Sequence, residues 1–333
     1  MKKYLLPESG EFYKANLHCH TKVSDGGMTP EEVKAYYMAH GYSIVAYTDH
    51  DVLLDHSGLA EEGFLPLNGF EAEINEMGRP LGNTHKTCHL CFVAKEPGNV
   101  TTPFYHRSKY MIGNGEWYRD QIRFDESLPD FEREYTPERI NEMIRLAKEA
   151  GFFVTYNHPC WSQESYPEYM TYQGMDAMEI MNFSSWNAGW PEYNPRVYDD
   201  MLRGGKRVFA IGADDNHGTA DACGAWIMVK AEKLEYKTVM DAIARGEFYA
   251  SMGPEIRALW FENGYVHIQT SEAARIICNY GLRKARCVQK ADGTPVTEAV
   301  FSVEPNCEYF RITVTDAQGR CAETNAYFVD TLR

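Results

Sequence analysis

The feature that most constrains the fold is the stretch from residue 16 to residue 51, where two short apolar runs end in side chains that can bind metals. The first run ends in His18 and His20, separated by one residue, and the second ends in a Thr-Asp-His triplet that closes with His50. Side chains alternate between the two faces of a strand, so His18 and His20 are predicted to share one face. Two imidazoles on one face supply half of a typical metal site.

A helix is predicted between these two runs. Thr29 can cap its start, Pro30 suits the first helical position, and Glu32 completes a capping box, while Gly41 suits the residue after its end. The pattern is therefore strand, helix, strand. Parallel strands joined by a helix place their carboxyl ends at one edge of the sheet, where α/β proteins carry their chemistry. The three histidines are expected to meet at that edge.

The same pattern recurs along the chain, because further buried runs end in polar side chains. Candidates on these runs are Glu71 or Glu73, His89, His158 before a proline, Glu179 or Asn182, and Asp214, Asp215 and His217. Strand periodicity puts Glu71 and Glu73 on the same face and cannot choose between them. Alternating strands and helices with ligands at strand ends predict an α/β, barrel-like domain.

Several of these fragments together resemble the motifs of the PHP (polymerase and histidinol phosphatase) superfamily of metal-dependent phosphoesterases, over roughly residues 14 to 250. The matching fragments are His18-x-His20, Asp25, Thr48-Asp49-His50, Gly69-Phe70-Glu71, His89, Asn157-His158-Pro159 and Asp215-Asn216-His217.

The resemblance implies a distorted (β/α)7 barrel and a centre of three divalent cations. It implies a first metal held by His18, His20, Glu71 and Asp215, a second held by Glu71, His89 and His158, and a third held by Asp25, His50 and His217. Mixed imidazole and carboxylate ligands suit zinc, manganese or iron, and the sequence leaves the metal open.

This resemblance predicts a hydrolase of a small phosphate ester, in which a metal-bridging hydroxide attacks phosphorus. Monoester and diester substrates are both compatible with the sequence. An alternative on the same scaffold is a metallohydrolase of carboxylic or carbamate esters, and a further alternative is a non-catalytic, metal-stabilised binding module.

Residues 95–135 break the periodicity and are predicted to form a lid or insertion, since plain connections of this length are uncommon. His106, Arg107 and Lys109 form its most cationic cluster. Arg107 and Lys109 are candidate phosphate contacts and His106 is a candidate general acid, although a solvated loop is the favoured interpretation of the cluster. His85 is a further candidate substrate contact.

Beyond residue 253 the pattern changes to alternating apolar and polar residues. Asn263-Gly264 between two such runs predicts a β-hairpin. We therefore predict two domains, residues 1–253 with the metal-dependent hydrolase and residues 254–333 as a small β-rich domain.

Composition limits the partners. The net charge of −15 disfavours binding of long nucleic acid, whereas a small phosphorylated substrate drawn to cations remains compatible. An apolar run of 18 residues is missing, so we expect no membrane span. Nine cysteines, an odd number, argue against a disulfide framework, and no signal-peptide pattern follows the first lysines. A cytoplasmic protein is expected.

Overall fold

A computed structural model describes residues 2–76 and 85–332, and the statements below refer to these residues. The described residues form a mixed α/β fold with a large sheet. The strands are β1 Lys2–Tyr4, β2 Glu11–Asn16, β3 Ile44–Tyr47, β4 Leu65–Asn75, β5 Thr87–Ala94, β6 Thr101–Thr102, β7 Arg123–Phe124, β8 Phe152–Tyr156, β9 Ala177–Asn182, β10 Phe209–Ala213, β11 Trp226–Ala231, β12 Phe248–Ser251, β13 Ile256–Glu262, β14 Tyr265–Ala273, β15 Arg275–Tyr280, β16 Ala285–Val288, β17 Val296–Ser302, β18 Tyr309–Thr315, β19 Cys321–Thr324 and β20 Tyr327–Phe328. The α-helices are α1 Pro30–Ala39, α2 Pro137–Glu149, α3 Tyr166–Tyr169, α4 Phe183–Asn187, α5 Pro195–Arg203 and α6 Tyr236–Ala244. None of these helices is long and apolar enough to cross a membrane.

The predicted strand, helix, strand unit is confirmed. At the start of α1 the Thr29 side chain accepts a hydrogen bond from the Glu32 backbone, and the Glu32 carboxylate accepts one from the Thr29 backbone. The strands β2 and β3 on either side of this helix pair in parallel. One detail differs, because β2 ends at Asn16 and the two histidines follow it. The chain there leaves the β2 ladder, and Cys19 instead forms a parallel bridge with Asn216.

The large sheet runs in the order β10-β9-β8-β5-β4-β3-β2-β11-β12-β19-β18-β15-β16. From β10 to β2, neighbouring strands pair in parallel, except that β5 runs antiparallel to both β4 and β8. One candidate ligand therefore departs from the expected position at the carboxyl end of a strand. His89 lies near the start of β5, and the reversed direction of this strand brings its amino end to the ligand-bearing edge.

The first seven strands of this path run from β10 to β2, and the residues that follow these two outer strands contact each other at that edge. His20 N donates to Asn216 O at 3.1 Å, and Asp215 N donates to His18 O at 3.0 Å. These contacts place the residues after β2 beside those after β10. The distorted seven-stranded barrel that the family resemblance implies stays a prediction.

The chain after residue 253 forms strands β13 to β20 and a final 3-10 turn. The hairpin predicted around Asn263 and Gly264 is confirmed, because β13 and β14 pair directly across these two residues. The strands β1, β13, β14 and β17 form a second sheet, while β19 pairs with β12 and so continues the large sheet. The division at residues 253 and 254 stays a prediction, since strands on both sides of it pair with each other.

The segment 95–135 packs against the two loops that follow β2 and β3. Asn114 donates from its backbone to Ser24 O at 2.7 Å and from its side chain to Lys22 O at 2.9 Å. A small apolar cluster of Val23, Val52, Met111 and Ile122 fills the space between them. The segment is therefore docked on the loops that carry Asp25 and His50.

Candidate metal centre

Glu71 lies at the centre of the candidate site and is almost completely buried. One of its oxygens, Oε2, lies 3.3 Å from His18 Nε2 and 3.3 Å from His20 Nε2. Asp215 Oδ1 lies 3.1 Å from His18 Nε2 and 3.0 Å from His20 Nε2, and the two nitrogens are 3.1 Å apart. These four residues form the first group of ligand atoms.

The spacing within this group fits one tetrahedral cation. Tetrahedral zinc sites have bonds of ~2.0 Å, which corresponds to ligand atoms about 3.3 Å apart. The five distances given above lie close to that value. The group therefore has the size and the N and O ligand chemistry of a single divalent site.

The other oxygen of Glu71 belongs to a second group. Oε1 lies 3.1 Å from His89 Nδ1 and 3.5 Å from His158 Nε2, and these atoms are close enough to hold one cation. His89 Nε2 contacts Glu73 Oε2 at 3.0 Å. The structure thus places Glu71 between the histidines and Glu73 behind one of them.

A third group contains Asp25, His50 and His217, together with His20. Asp25 Oδ2 lies 3.5 Å from His217 Nε2 and 3.8 Å from His50 Nε2, and Asp25 Oδ1 lies 3.7 Å from His20 Nδ1. This group is looser and more exposed than the first. All nine residues expected from the family resemblance therefore lie in three of the four groups of possible ligand atoms, with His20 present in two of these three, and the fourth group contains His18, His158 and Glu179.

Two of these residues have backbone conformations that side chains rarely adopt. The φ angle is 24° at His158 and 54° at Asp215, and it is 57° at Asp51, which follows His50. Left-handed conformations of residues other than glycine cost of order 1–3 kcal/mol each and cluster at functional sites. Pro159 fixes the turn after His158.

The pKa values of the imidazoles and carboxylates in the cluster are shifted by their mutual electrostatic interactions. Burial disfavours charge on His20 and His89, but the carboxylates of Asp215, Glu71 and Glu73 outweigh it and raise the pKa of each imidazole to about 10. Burial and the neighbouring His20 lower the pKa of His50 to about 4. Although burial opposes it, the surrounding histidines hold the pKa of Glu71 well below its ordinary value.

Unpartnered nitrogen atoms support a metal at this site. The Nδ1 atoms of His20 and His50 are buried and have no hydrogen-bond partner among the described residues. Buried polar atoms of proteins are normally satisfied, so such atoms call for an explanation. A divalent cation at the third group would satisfy His20 Nδ1, which lies 3.7 Å from Asp25 Oδ1, and the donor set of imidazoles and carboxylates fits such an ion.

A buried carboxylate on β9 orients the first group from behind, and the sequence analysis offered it only as one of two alternatives, Glu179 or Asn182, without a role. Glu179 Oε1 lies 2.7 Å from His18 Nδ1, and Glu179 Oε2 accepts hydrogen bonds from His158 N and from Asn182. Carboxylates commonly fix the tautomer of metal-binding histidines in this way. The buried acid on β9 was visible in the sequence, but its partner was not.

Asp49 accepts hydrogen bonds from the loop that carries Asp25 and so fixes its conformation. Its Oδ1 accepts hydrogen bonds from Thr21 N at 2.7 Å and Ser24 N at 3.1 Å, and its Oδ2 accepts one from the Thr21 hydroxyl at 2.8 Å. The Asp residue of the Thr-Asp-His triplet therefore shapes the neighbouring ligand loop.

Arg133 is a cation near the cluster that no sequence pattern had singled out. Its Nη1 donates to Asp51 Oδ2 at 3.1 Å and to Glu73 O at 2.9 Å, and its other terminal nitrogen also contacts Asp51. Both side chains are buried. The pair anchors segment 95–135 to the residue after His50.

The predicted substrate contacts are not brought to the cluster. Arg107 pairs with Asp130 at 2.6 Å, Lys109 with Glu132 at 2.8 Å, and His106 Nε2 with Glu132 at 3.1 Å. Among the residues that the structure describes, the polar contacts of these three side chains stay within segment 95–135. Acids later in the same segment neutralise them.

His85 follows the residues outside the described part of the chain, and its Nδ1 is buried without a hydrogen-bond partner among the described residues. A role in substrate binding stays a prediction for this residue.

The fold and the cluster together define an α/β protein with a candidate polynuclear metal site of buried histidines and carboxylates. No protein-family model matches the chain. A curated relative, the 5'-3' exoribonuclease of Haemophilus influenzae, is 36% identical over 72 residues, which cover 20% of this chain and 26% of the exoribonuclease. The match thus spans about a quarter of that protein.

Similar solved structures include a two-domain protein from Bacteroides vulgatus containing a predicted PHP-like metal-dependent phosphoesterase, with 15% identity, 94% coverage of both chains and a TM-score of 0.47. A putative metal-dependent phosphoesterase from Bifidobacterium adolescentis has 17% identity and a TM-score of 0.40, covering 72% of this chain and 98% of its own. An amidohydrolase from Chromobacterium violaceum with bound sulfate has 17% identity and a TM-score of 0.38, covering 61% and 87%.

Proposed function

We propose that the chain is a PHP-superfamily hydrolase that cleaves a small phosphate ester at a centre of three divalent cations. The observation that carries this proposal is the convergence of nine residues, far apart in the sequence, into three groups of ligand atoms. Bound divalent cations would activate water and neutralise charge on the attacking and leaving oxygens of a phosphoryl group.

The residues of this chain divide that work among themselves. Glu71 contributes one oxygen to the first group and the other to the second, so it sets the distance between these two positions. Glu179 keeps His18 Nδ1 hydrogen-bonded, which leaves Nε2 directed at the first group. The exposed side of Asp25 and His217 leaves the third group accessible to a phosphate oxygen.

The acidity of the chain supports a small substrate. The protein has a net charge of −15, so a long nucleic acid would gain little binding free energy from its surface. A single phosphoryl group, in contrast, would be attracted to a local centre of cations. The docked segment 95–135 packs against the loop that carries Asp25. We place zinc, manganese and iron as the candidate metals on ligand chemistry alone.

The test compares three esters on metal-stripped protein that is reconstituted separately with zinc, manganese and iron. We expect metal-dependent hydrolysis of p-nitrophenyl phosphate or bis(p-nitrophenyl) phosphate and little hydrolysis of p-nitrophenyl acetate. Turnover of the acetate alone would favour a carboxylic esterase, and metal binding without any turnover would favour a binding module.

Variants control for contaminating activity. The His158→Ala variant is expected to lose turnover, whereas the His267→Ala variant is expected to keep it, because His267 lies in β14 and stacks on Trp260. Full activity of the His158→Ala variant loaded with metal would refute the assignment of the site. If the His158→Ala variant loses turnover as expected, a screen of phosphorylated metabolites with the wild-type protein would identify the natural substrate.

A further inference from the structure

Trp161 is a large aromatic side chain that remains 40% exposed beside the candidate metal centre. Its ring centroid lies 5.0 Å from that of His158 and 5.3 Å from that of His89, with interplanar angles of 84° and 76°. These two histidines belong to the second group of ligand atoms. The indole therefore stands at the edge of the site and faces both solvent and ligands.

The turn that presents this indole is fixed by buried polar contacts. Glu192 is fully buried and accepts hydrogen bonds from Trp161 N at 2.7 Å and from Cys160 N at 3.1 Å. Ser162 N donates to His158 O at 3.0 Å and closes the turn. An exposed ring on a fixed turn is a preorganised surface, so little conformational entropy is lost when a ligand packs against it.

We propose, on the basis of the function proposed above, that Trp161 contacts the substrate and stacks on a planar aromatic group carried by the phosphate ester. A phosphoryl group held at the ligand groups places its ester substituent within reach of the indole, because the ring contacts two of the ligands directly. Base or ring stacking on such a side chain contributes about 1–3 kcal/mol, which corresponds to a roughly 5- to 150-fold change in affinity.

The charge around the second group favours a neutral ring as the substituent. Glu73 contacts His89 Nε2 at 3.0 Å and is partly exposed. His89 is therefore bordered by this carboxylate on one side and by the Trp161 indole on another. A substituent with further negative charge would be repelled there. The inferred substrate class is thus an aryl or nucleoside phosphate whose ring packs against Trp161.

The experiment measures binding as well as turnover, using manganese-loaded protein and two phosphonates that cannot be hydrolysed. Phenylphosphonate and methylphosphonate differ only in the ring, and calorimetric titration gives a dissociation constant for each. We expect the wild-type protein to prefer phenylphosphonate by about fivefold or more, and the Trp161→Ala variant to lose that preference. The Trp161→Phe variant keeps an aromatic ring and is expected to retain most of it.

Trp260→Ala is the matched control, because Trp260 stacks on a histidine outside the cluster, with ring centroids 4.9 Å apart. This variant should keep the ring preference. The inference is overturned if the wild-type protein binds both phosphonates equally, or if Trp161→Ala weakens both by the same factor, as a packing role would.

The two proposals fail in different ways. A ring preference that depends on Trp161 without hydrolysis of any phosphate ester would refute the proposed function and leave the aromatic contact in place. Conversely, hydrolysis of glycerol phosphate and of an aryl phosphate with equal changes in KM in the Trp161→Ala variant would support the hydrolase and refute the contact.

Discussion

Replacing Glu71 by Gln tests the centre of the site most directly, because this carboxylate belongs to both the first and the second groups. Its oxygens lie within 3.5 Å of nitrogen atoms of five histidines, namely His18, His20, His50, His89 and His158. Glutamine keeps the shape and one oxygen but removes the charge. The substitution therefore weakens two cation positions at once.

The expected size of the effect follows from electrostatics. Two unit charges 4 Å apart attract each other by about 4 kcal/mol at an effective dielectric constant of 20, and a divalent cation at bonding distance interacts more strongly. Residues that merely orient ligands already contribute 10- to 100-fold to metal affinity. We therefore expect Glu71→Gln to weaken binding at the first two positions by at least about 100-fold and to reduce turnover below about 1%.

The assay is metal content by mass spectrometry after gel filtration, combined with calorimetric titration of the stripped protein. Circular dichroism shows whether the variant folds. Glu73→Gln is the matched control, since Glu73 contacts only one cluster histidine among the described residues, His89, and we expect a loss of about tenfold there. A Glu71→Gln protein with the full metal content and affinity within about threefold of wild type would refute the central role of this carboxylate.

The remaining predictions concern protons, the docked segment and the supporting carboxylate. His20 and His89, with pKa values raised to about 10, carry protons at pH 7 without metal, so metal binding should release at least these two protons and strengthen as the pH rises towards 10; titration in buffers of different ionisation enthalpy counts them. Arg133→Met leaves Asp51 buried without its partner and should lower the free energy of unfolding by about 3–5 kcal/mol, measured by urea denaturation. Glu179→Gln should weaken metal binding by about 10- to 100-fold with an unchanged fold.

A specific result would contradict each of these three predictions. Metal binding whose enthalpy is independent of the buffer would contradict the raised histidine pKa values. For the docked segment, the exposed pair of Arg107 and Asp130 is the control, and Arg107→Met should change stability by no more than about 1 kcal/mol. An Arg133→Met protein as stable as this control would show that the buried pair contributes nothing. Unaltered affinity in Glu179→Gln would remove its orienting role.

Most candidate ligands could be located from local patterns, whereas the choice of Glu71 over Glu73 and of Asp215 over Asp214 came from the family resemblance. His18 and His20 follow a buried run, Asp215 and His217 follow another, and the residues between them carry the helix caps and glycines that define α/β units. Local patterns do not give contacts between distant residues. Glu179 is 161 residues from His18, and neither position carries a sign of the other.

The sequence also does not show which cations lie near the cluster, because it does not show how distant charged residues pair. His106, Arg107 and Lys109 form a cationic cluster in the sequence, yet Asp130 and Glu132 neutralise it once the segment folds back on itself. Arg133, an isolated arginine between two glutamates, is the cation that reaches the loop after His50. Sequence spacing could not distinguish them, because burial and pairing depend on the docking of the whole segment.

The backbone and the charges of the cluster are costly to hold together, and this cost connects its geometry to its chemistry. His158 and Asp215 adopt left-handed backbone conformations, and buried carboxylates face imidazoles that must share protons. Such strain persists only where the surrounding structure over-determines it, as the contacts of Glu179, Asp49 and Glu192 do here. Groups that are held in place by such contacts need not reorganise when charge develops nearby, which is the condition under which fixed charges accelerate a reaction. The left-handed backbone at His158 and Asp215 is therefore a further argument for the proposed function.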